Sequence, residues 1–499
     1  VLSDDIPLVG LVSSASQTGG IVAHPGPLQL DLLAIPVRLL PGGAGLFLGS
    51  AVISAAAVGA TAWAARRMLG GLGAAVVASI VALLVWSLGS EGLFDPWQPI
   101  AAMLPFLCGI VAAWAFAAGH DAAAPVGVVA LSFAVQTHGS HLLLVPVAAA
   151  TAVILRIVRA RRGHVLDRRS VVVAAVIAVV VWTQPLLDQW FGSGNVSSLW
   201  RHAVRGGTDD GPGPALGLGD SLRAVASVIV KPPAWTRGGM RTSSPLSGGF
   251  AGDWVALPWA VAGLAVVVGA IGGTVAVARR RDDWTVIAGG VLSVVLLAAA
   301  VVSAAGLPVD AFGFSPHRVR WLWVIGAFLT AYLLVAALRL GAVPARRDAV
   351  AAVALVAAVA LVATVPTSNQ LLSSQQVLAG SVASVGELVD VASQFDGAGV
   401  VYLNTLGRQL PDPYHDALAA ALVRAGIEVR VAGEYSSTQY GTHRRLGAGP
   451  DAADVTAHVF VGPYADGLPE PYGEVARYSD GGRTVVVGAA FGVVRARPG

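Results

Sequence analysis

Charge is scarce in this chain. Of its 499 residues 12% are charged and 55% hydrophobic, and the mean hydropathy is +0.70. Soluble domains carry roughly 25% charge, so a water-soluble enzyme is excluded and most of the chain must lie in lipid. Length alone would suggest about three domains; composition overrides it. Cysteine is almost absent: Cys108, alone in an apolar stretch, excludes an intrachain disulfide and a cysteine metal cluster. Lysine is reduced to Lys231, so the basic residues are nearly all arginine. They fall in short clusters with no long basic stripe, and the net charge of +3 gives no argument for nucleic acid. Collagen-like, disulfide-rich and coiled-coil classes are excluded as well. The Ala, Val, Gly and Arg bias points to a GC-rich bacterial genome.

What the chain has is apolar runs. A helix needs about 20 apolar residues to cross a bilayer. Such runs lie near residues 45–65, 69–89, 99–118, 140–158, 170–188, 255–278, 284–304, 321–340 and 349–366, and a shorter one at 123–136 makes a tenth. The arginines orient them. Arg66 and Arg67, the group from Arg156 to Arg169, Arg279 to Arg281, and Arg339, Arg346 and Arg347 all fall on one side if all ten cross. The opposite loop 90–98 carries only Glu91 and Asp95. The positive-inside rule puts the arginine loops in the cytoplasm. Segments 1–44, 189–254 and 367–499 then face outward. A chain that begins at Val1 on an outer loop points either to one further span upstream, the favoured reading, or to an alternative start codon translated literally. Residues 26–44, broken by Pro36 and Pro41, read as a helix lying at the outer interface.

From residue 367 the pattern turns polar. Strands are predicted at 399–403, 428–431, 458–461 and 484–487, with a helix over 412–425 that Asp412 caps and Gly426 stops. The expected fold is a polytopic α-helical membrane protein of about ten spans with a small C-terminal α/β extracytoplasmic domain. Its parts are 1–44, outer loop and interfacial helix; 45–366, transmembrane domain; and 367–499, α/β domain. No glycine-rich phosphate loop follows the first strand, where Asn404-Thr405-Leu406-Gly407-Arg408 stands.

Polar residues near lipid depth are costly and therefore informative. His24-Pro25-Gly26-Pro27 enters the interfacial helix; a solvated helix-entry turn is the plainer reading. Asp95, in Phe94-Asp95-Pro96-Trp97-Gln98-Pro99, is either an N-cap or a carboxylate facing a cavity. Gln136-Thr137-His138-Gly139-Ser140-His141 breaks an apolar stretch, as a polar break lining a hydrated cavity does; a tight outer turn is the alternative. His317-Arg318-Val319-Arg320-Trp321 sets two arginines at an outer helix start, suited either to phosphate oxygens or to headgroup anchoring beside Trp321 and Trp323. Asn195-Val196-Ser197 fits a glycosylation acceptor formally, and Asp209-Asp210-Gly211 reads as a turn.

Pro7-Leu-Val-Gly10, His-Pro-Gly-Pro-Leu at 24–28, Asp-Pro-Trp-Gln-Pro at 95–99, Gln-Thr-His at 136–138 and Arg-x-Arg-Trp-Leu-Trp at 318–323 follow one another. In this order the chain resembles the actinobacterial polytopic membrane proteins related to the GT-C glycosyltransferases. Those are similar to the family 39-like protein O-mannosyltransferases and the aminoarabinose and arabinofuranosyl transferases. The resemblance covers roughly residues 7–366. It implies an enzyme that moves a hexosyl or pentosyl group, with inversion, from a polyprenyl-phosphate donor to a cell-envelope glycan, lipid or protein acceptor. It also implies a multi-pass protein of the bacterial cytoplasmic membrane. An acidic residue takes the acceptor proton, and basic groups stabilise the leaving phosphate. On this chain Asp95, with Asp5 behind it, is the carboxylate; His24, Gln136, His138 and His141 line the outer cavity; Arg318 and Arg320 hold the phosphate. No metal-ligand set is assigned, and a divalent cofactor stays open. Val12-Ser13-Ser14 and Val22-Ala23 stand where the family carries more polar groups. A non-catalytic envelope scaffold and a transporter or flippase are the alternative functions.

Overall fold

The computed structural model describes residues 6–13, 16, 21–40, 43–205, 207–208, 211–212, 215–230, 255–309, 314, 318–341, 347–366, 390–395, 397–404, 414–431, 434–441, 444–445, 452–461, 465–480 and 483–495. Asp5, His317 and Asp412, and the Asp209-Asp210 pair, lie outside them. The chain forms two compact units, Pro7–Leu371 and Leu372–Gly499.

The first unit is helical. Its elements are α1 (Leu28–Leu39), α2 (Ala44–Leu88), the short α3 (Glu91–Phe94) and α4 (Gln98–Ala101), α5 (Met103–Ala117), α6 (Ala123–Thr137), α7 (Leu144–Arg161), α8 (Arg168–Phe191), α9 (Asn195–Arg205), α10 (Gly217–Ile229), α11 (Leu257–Arg280), α12 (Trp284–Ala305), α13 (Trp321–Leu340) and α14 (Arg347–Ala363). A two-stranded ribbon, β1 (Gly207–Thr208) and β2 (Gly211–Pro212), follows α9. Among the described residues seven helical stretches are long and apolar enough to cross a membrane, and α6 and α14 are shorter apolar helices.

One of the seven, α2, is two expected spans in one. Val58 and Val81 line the same groove, yet a straight helix would hold them about 35 Å apart at 1.5 Å per residue. The chain therefore folds back between them. The reversal falls at Gly70, whose φ of 71° and ψ of −168° belong to a region essentially restricted to glycine.

α5 is buried almost throughout and forms the centre of the bundle, with Phe106, Trp114 and Ile110 fully enclosed. α8 and α11 turn aliphatic side chains such as Val172, Val176, Val179 and Val266 outward, as lipid-facing helices do. α1 carries Pro36 and exposes Leu32, Ile35 and Leu39, which fits a helix lying on the membrane interface. Trp321 and Trp323, by contrast, are 1% and 0% exposed, so these two indoles pack inside the protein and do not anchor at headgroups.

The arginine loops meet at one end of the bundle. Arg156 grips Asp121 through Nε–Oδ1 at 2.5 Å and Nη2–Oδ2 at 2.8 Å. The Asp167 N–H donates to the same carboxylate, and Arg156 donates to Val165 O. The α5–α6 turn, α7 and the α7–α8 loop are thereby clamped. Trp284 Nε1–H donates to Ala117 O, Arg339 pairs with Asp283, and Arg281 donates to Leu340 O. The ends of α5, α11 and α13 and the start of α12 join the same cluster. His24, the C-terminal end of α6 and the start of α13 therefore lie at the opposite end. α14 runs parallel to the second half of α2: Ser79 Oγ–H donates to Ala354 O, Trp86 Nε1–H to Thr364 O and Ser90 N–H to Pro366 O.

The second unit is a five-stranded mixed sheet. Its strands are β3 (Val400–Leu403), β4 (Glu428–Val431), β5 (Ala452–Val461), β6 (Gly473–Asp480) and β7 (Arg483–Arg495), in the spatial order β4-β3-β5-β7-β6. β3 is parallel to β4 and β5; β7 is antiparallel to β5 and β6. Alternation in β3 buries Val401 and Leu403 against Val429, Val431, Val455 and Val459, under the Leu418 and Leu422 face of α15 (Tyr414–Arg424). A short α16 (Glu434–Tyr440) precedes β5. The four expected strands and the helix are present. β5 and β7 are longer than expected, and β6 carried no clear alternation in the sequence.

Candidate functional site

The site builds outward from the N-terminal segment. Residues 10–13 and 22–24 pair as antiparallel backbone: Gly10 N–H donates to His24 O (3.0 Å), His24 N–H to Leu11 O (2.8 Å) and Ser13 N–H to Val22 O (2.9 Å). The Pro-Leu-Val-Gly loop and the His-Pro-Gly-Pro turn are thus one substructure. Val22 and Ala23 are buried in it, so their apolar character is a packing requirement here.

Asn195 holds this pair from the far side. Its Oδ1 accepts the Ala23 N–H at 2.8 Å, and its Nδ2 donates to Ala23 O and His24 O. Asn195 is itself held by Asp188, whose carboxylate accepts its N–H at 2.9 Å and the Ser193 hydroxyl. With 3% of its surface exposed, Asn195 is a buried clamp and no surface acceptor for glycosylation.

The four polar residues predicted to line a cavity come together. Gly139 N–H donates to His24 Nδ1 at 3.2 Å, so that nitrogen is unprotonated and the neutral ring carries its proton on Nε2. The His24 and His138 ring centres are 5.1 Å apart, and those of His138 and His141 6.2 Å. Burial, and then the neighbouring His141, push the His24 imidazole down to about 4. His141 rests edge-on against Phe106 and bonds through Nδ1 to His138 O. Its buried Nε2, an acceptor in that tautomer, has no hydrogen-bond partner among the described residues, and the same holds for Gln136 Oε1 and Thr137 Oγ1.

Gln136 has a specific local task. Pro185 lies inside α8 and offers no N–H to the carbonyl four residues back. That carbonyl is Val181 O, and Gln136 Nε2 donates to it at 2.7 Å. The glutamine side chain fits because Gly26 is beside it: a Cβ on Gly26 would lie 2.2 Å from Gln136 Oε1. Sequence reasoning found Gln136 but not its partner, since the link joins α6 to a proline in α8.

The two arginines diverge. Arg318 Nη1 donates to Pro308 O, which commits this half-buried side chain to a backbone carbonyl. Arg320 is 2% exposed, with its guanidinium carbon 5.2 Å from the centre of the Trp323 ring. Its Nε and Nη1, and the Trp323 indole N–H, have no hydrogen-bond partner among the described residues. A buried cation with unpaired N–H groups is costly. Such an arrangement attracts an anion with several acceptor oxygens. Arg320 makes no hydrogen bond or ion pair to the histidines among the described residues.

Asp95 is half-buried and accepts the Trp97 N–H at 2.8 Å, the turn geometry that precedes α4. Its loop is tied to α1 by Gln29 Nε2, which donates to Pro96 O at 2.7 Å. A second carboxylate, unmarked in the sequence, sits on α1. Asp31 Oδ1 accepts a bond from Gln184 Nε2, which also donates to Pro7 O, both at 3.3 Å. Among the described residues no group of three or more His, Cys, Asp or Glu side chains is arranged to hold a metal ion.

Between the two halves of α2 and α14 lies a groove of about 420 Å³ lined by aliphatic side chains, among them Val58, Val81, Val85, Val359 and Val362.

No protein-family model matches the chain, and no curated protein matches it. The apo-state crystal structure of ArnT from Cupriavidus metallidurans is similar, with 16% identity and a TM-score of 0.43 over 92% of this chain and 87% of that one. The chain itself is a multi-span helical membrane protein with a C-terminal mixed five-stranded α/β region.

Proposed function

We propose that this protein is a membrane glycosyltransferase of the GT-C type, moving a sugar from a polyprenyl-phosphate donor to a cell-envelope acceptor. The observation that carries the reading is Arg320. It is a buried guanidinium with unpaired N–H groups at the end of the bundle that also holds His24, Gln136, His138 and His141. A phosphate gives Arg320 charge and acceptor oxygens together. The imidazole and amide cluster suits a neutral ring with hydroxyl groups; Gln136 Oε1 and His141 Nε2 are buried acceptors with no partner among the described residues. Arg318, half-buried beside it, adds positive potential for the leaving phosphate.

In this reading residues 1–44 form the outer loop and interfacial helix, 45–366 the transferase body and 367–499 an extracytoplasmic domain beside an envelope glycan, lipid or protein acceptor. The body lies in a bacterial cytoplasmic membrane with its arginine end inside. A carboxylate takes the acceptor proton, a role for which the sequence pointed to Asp95 with Asp5 behind it.

The test uses full-length protein in lipid nanodiscs with radiolabelled polyprenyl-phosphate sugars. Donor binding and transfer to envelope extract are expected. Binding without transfer to any acceptor favours the scaffold, movement of the lipid across a bilayer without transfer favours the flippase, and no binding at all removes the reading.

A further inference from the structure

α1 begins directly after His24-Pro-Gly-Pro, and its first turn carries a carboxylate. Asp31 N–H donates to Pro27 O at 3.0 Å, which fixes the residue at the start of the helix. On the same helix Leu32, Ile35 and Leu39 are exposed apolar side chains, so Asp31 stands at the edge of a lipid-facing surface. A charged group there is expensive unless it is held.

Its side-chain hydrogen-bond partner among the described residues is neutral. Asp31 has no ion pair to an arginine or histidine among the described residues; its side-chain partner is the amide of Gln184. That amide spends its two N–H bonds on two targets, Asp31 Oδ1 and Pro7 O. The second is the first residue of the loop that pairs with the His24 strand. One amide group on α8 therefore fixes both the carboxylate and the loop packed on His24. Burial pushes the Asp31 carboxyl up, and the Gln184 bond opposes that. A carboxylate whose hydrogen-bond partner is a neutral amide keeps more basicity than one locked in an ion pair, which a proton acceptor needs. Asp95 differs in its partner, accepting the Trp97 N–H within its own turn.

We propose that Asp31, positioned by Gln184, is the carboxylate that accepts the proton of the incoming acceptor hydroxyl. This assignment rests on the transferase reading above. In the step, the acceptor oxygen forms a bond to the anomeric carbon of the donor sugar. The bond from that carbon to the phosphate oxygen breaks, and its electron pair leaves with the polyprenyl phosphate. The acceptor proton passes to an Asp31 carboxylate oxygen. Charge and atoms balance, and no further reactant is consumed.

The experiment measures donor binding and single-turnover transfer with full-length protein in nanodiscs. Asp31→Asn should retain donor binding and lose transfer by about 10²–10⁴-fold, the usual weight of a general base. Asp31→Glu should recover part of the rate. Gln184→Ala should lower the single-turnover rate constant while leaving donor binding unchanged; that rate constant does not depend on the fraction of folded protein, so loss of folding would not reproduce the effect. Transfer by Asp31→Asn at the wild-type rate overturns the assignment and leaves the transferase reading standing. Wild-type protein that neither binds donor nor transfers sugar overturns both. Should Asp31→Asn and Asp31→Glu both lose donor binding along with transfer, the carboxylate is structural and the assignment fails.

Discussion

Arg320 and His24 show opposite ways of placing a titratable side chain where water is scarce. Arg320 keeps its charge and lacks partners for Nε and Nη1, so in the absence of ligand it weakens the protein. Arg320→Met should therefore raise the thermal midpoint of ligand-free protein by a few degrees, because an apolar side chain removes an unpaired buried charge. The same substitution should abolish binding of polyprenyl phosphate, measured by nanodisc pull-down with labelled lipid. A variant that melts lower and still binds would contradict the anion-site reading. His24 instead stays neutral. Its folded value of about 4 lies below the unfolded value of 6.5. The unfolded chain therefore binds more protons than the folded one between those values, and stability rises with pH across that window. The contribution is complete above pH 6.5 and is lost as the pH falls through about 4. Melting curves from pH 7 to 4.5 should show a falling midpoint, and His24→Gln should flatten it; parallel curves would refute the assignment. His24, Gln136, His138 and His141 were legible in the sequence because polar residues amid apolar runs stand out. Asp31, Gln184 and Asn195 were not. Each acts through a partner more than 150 positions away, and no local pattern encodes that.

Among the elements, the clearest sequence signal was the arginine alternation and the least visible was how the arginines are used. Arg156 and Asp121 form a buried bidentate pair at 2% and 6% side-chain exposure. It joins α7 to the α5–α6 turn, while Arg161, Arg162, Arg168 and Arg169 in the same stretch are exposed. Composition cannot separate the two kinds, because the pairing depends on the α5–α6 turn meeting the last turns of α7. Removing one partner leaves an uncompensated buried charge. Asp121→Ala is expected to cost about 3–5 kcal/mol, whereas the double replacement Asp121→Leu with Arg156→Leu should recover most of it. Thermal denaturation in detergent reads both. Equal losses in single and double variants would show that the clamp acts by shape alone. α2 illustrates the converse: a pair of spans predicted from two apolar runs exists, and the reversal between them rests on Gly70 with Arg66 and Arg67 beside it.

At the scale of the molecule, the ten predicted apolar runs all fall on helices, and the hydrogen bonds sort the loops into a basic end and an opposite end. Membrane-protein folds are readable to this depth because backbone groups in lipid must bond within helices and basic loops resist translocation. The second unit was read more coarsely, since a strand without clear alternation such as β6 depends on its β7 neighbour. Cys108 is buried, so a Cys108→Ala background permits single-cysteine mapping. Val165→Cys, at 89% exposure in the basic end, should label only from the cytoplasmic side; Phe191→Cys, at 84% exposure near the other end, only from outside. Labelling of both from one side would invert or dismantle the proposed topology. Pro185 links these scales. Its missing N–H leaves Val181 O to Gln136, and one residue before it Gln184 reaches Asp31 and Pro7. Beyond that break the outer turns of α8 carry Asp188, which holds Asn195 and through it Ala23 and His24. The helix is therefore wired to the N-terminal segment on both sides of the proline, and a substitution at Pro185 would disturb the imidazole cluster and the α1 carboxylate from one position.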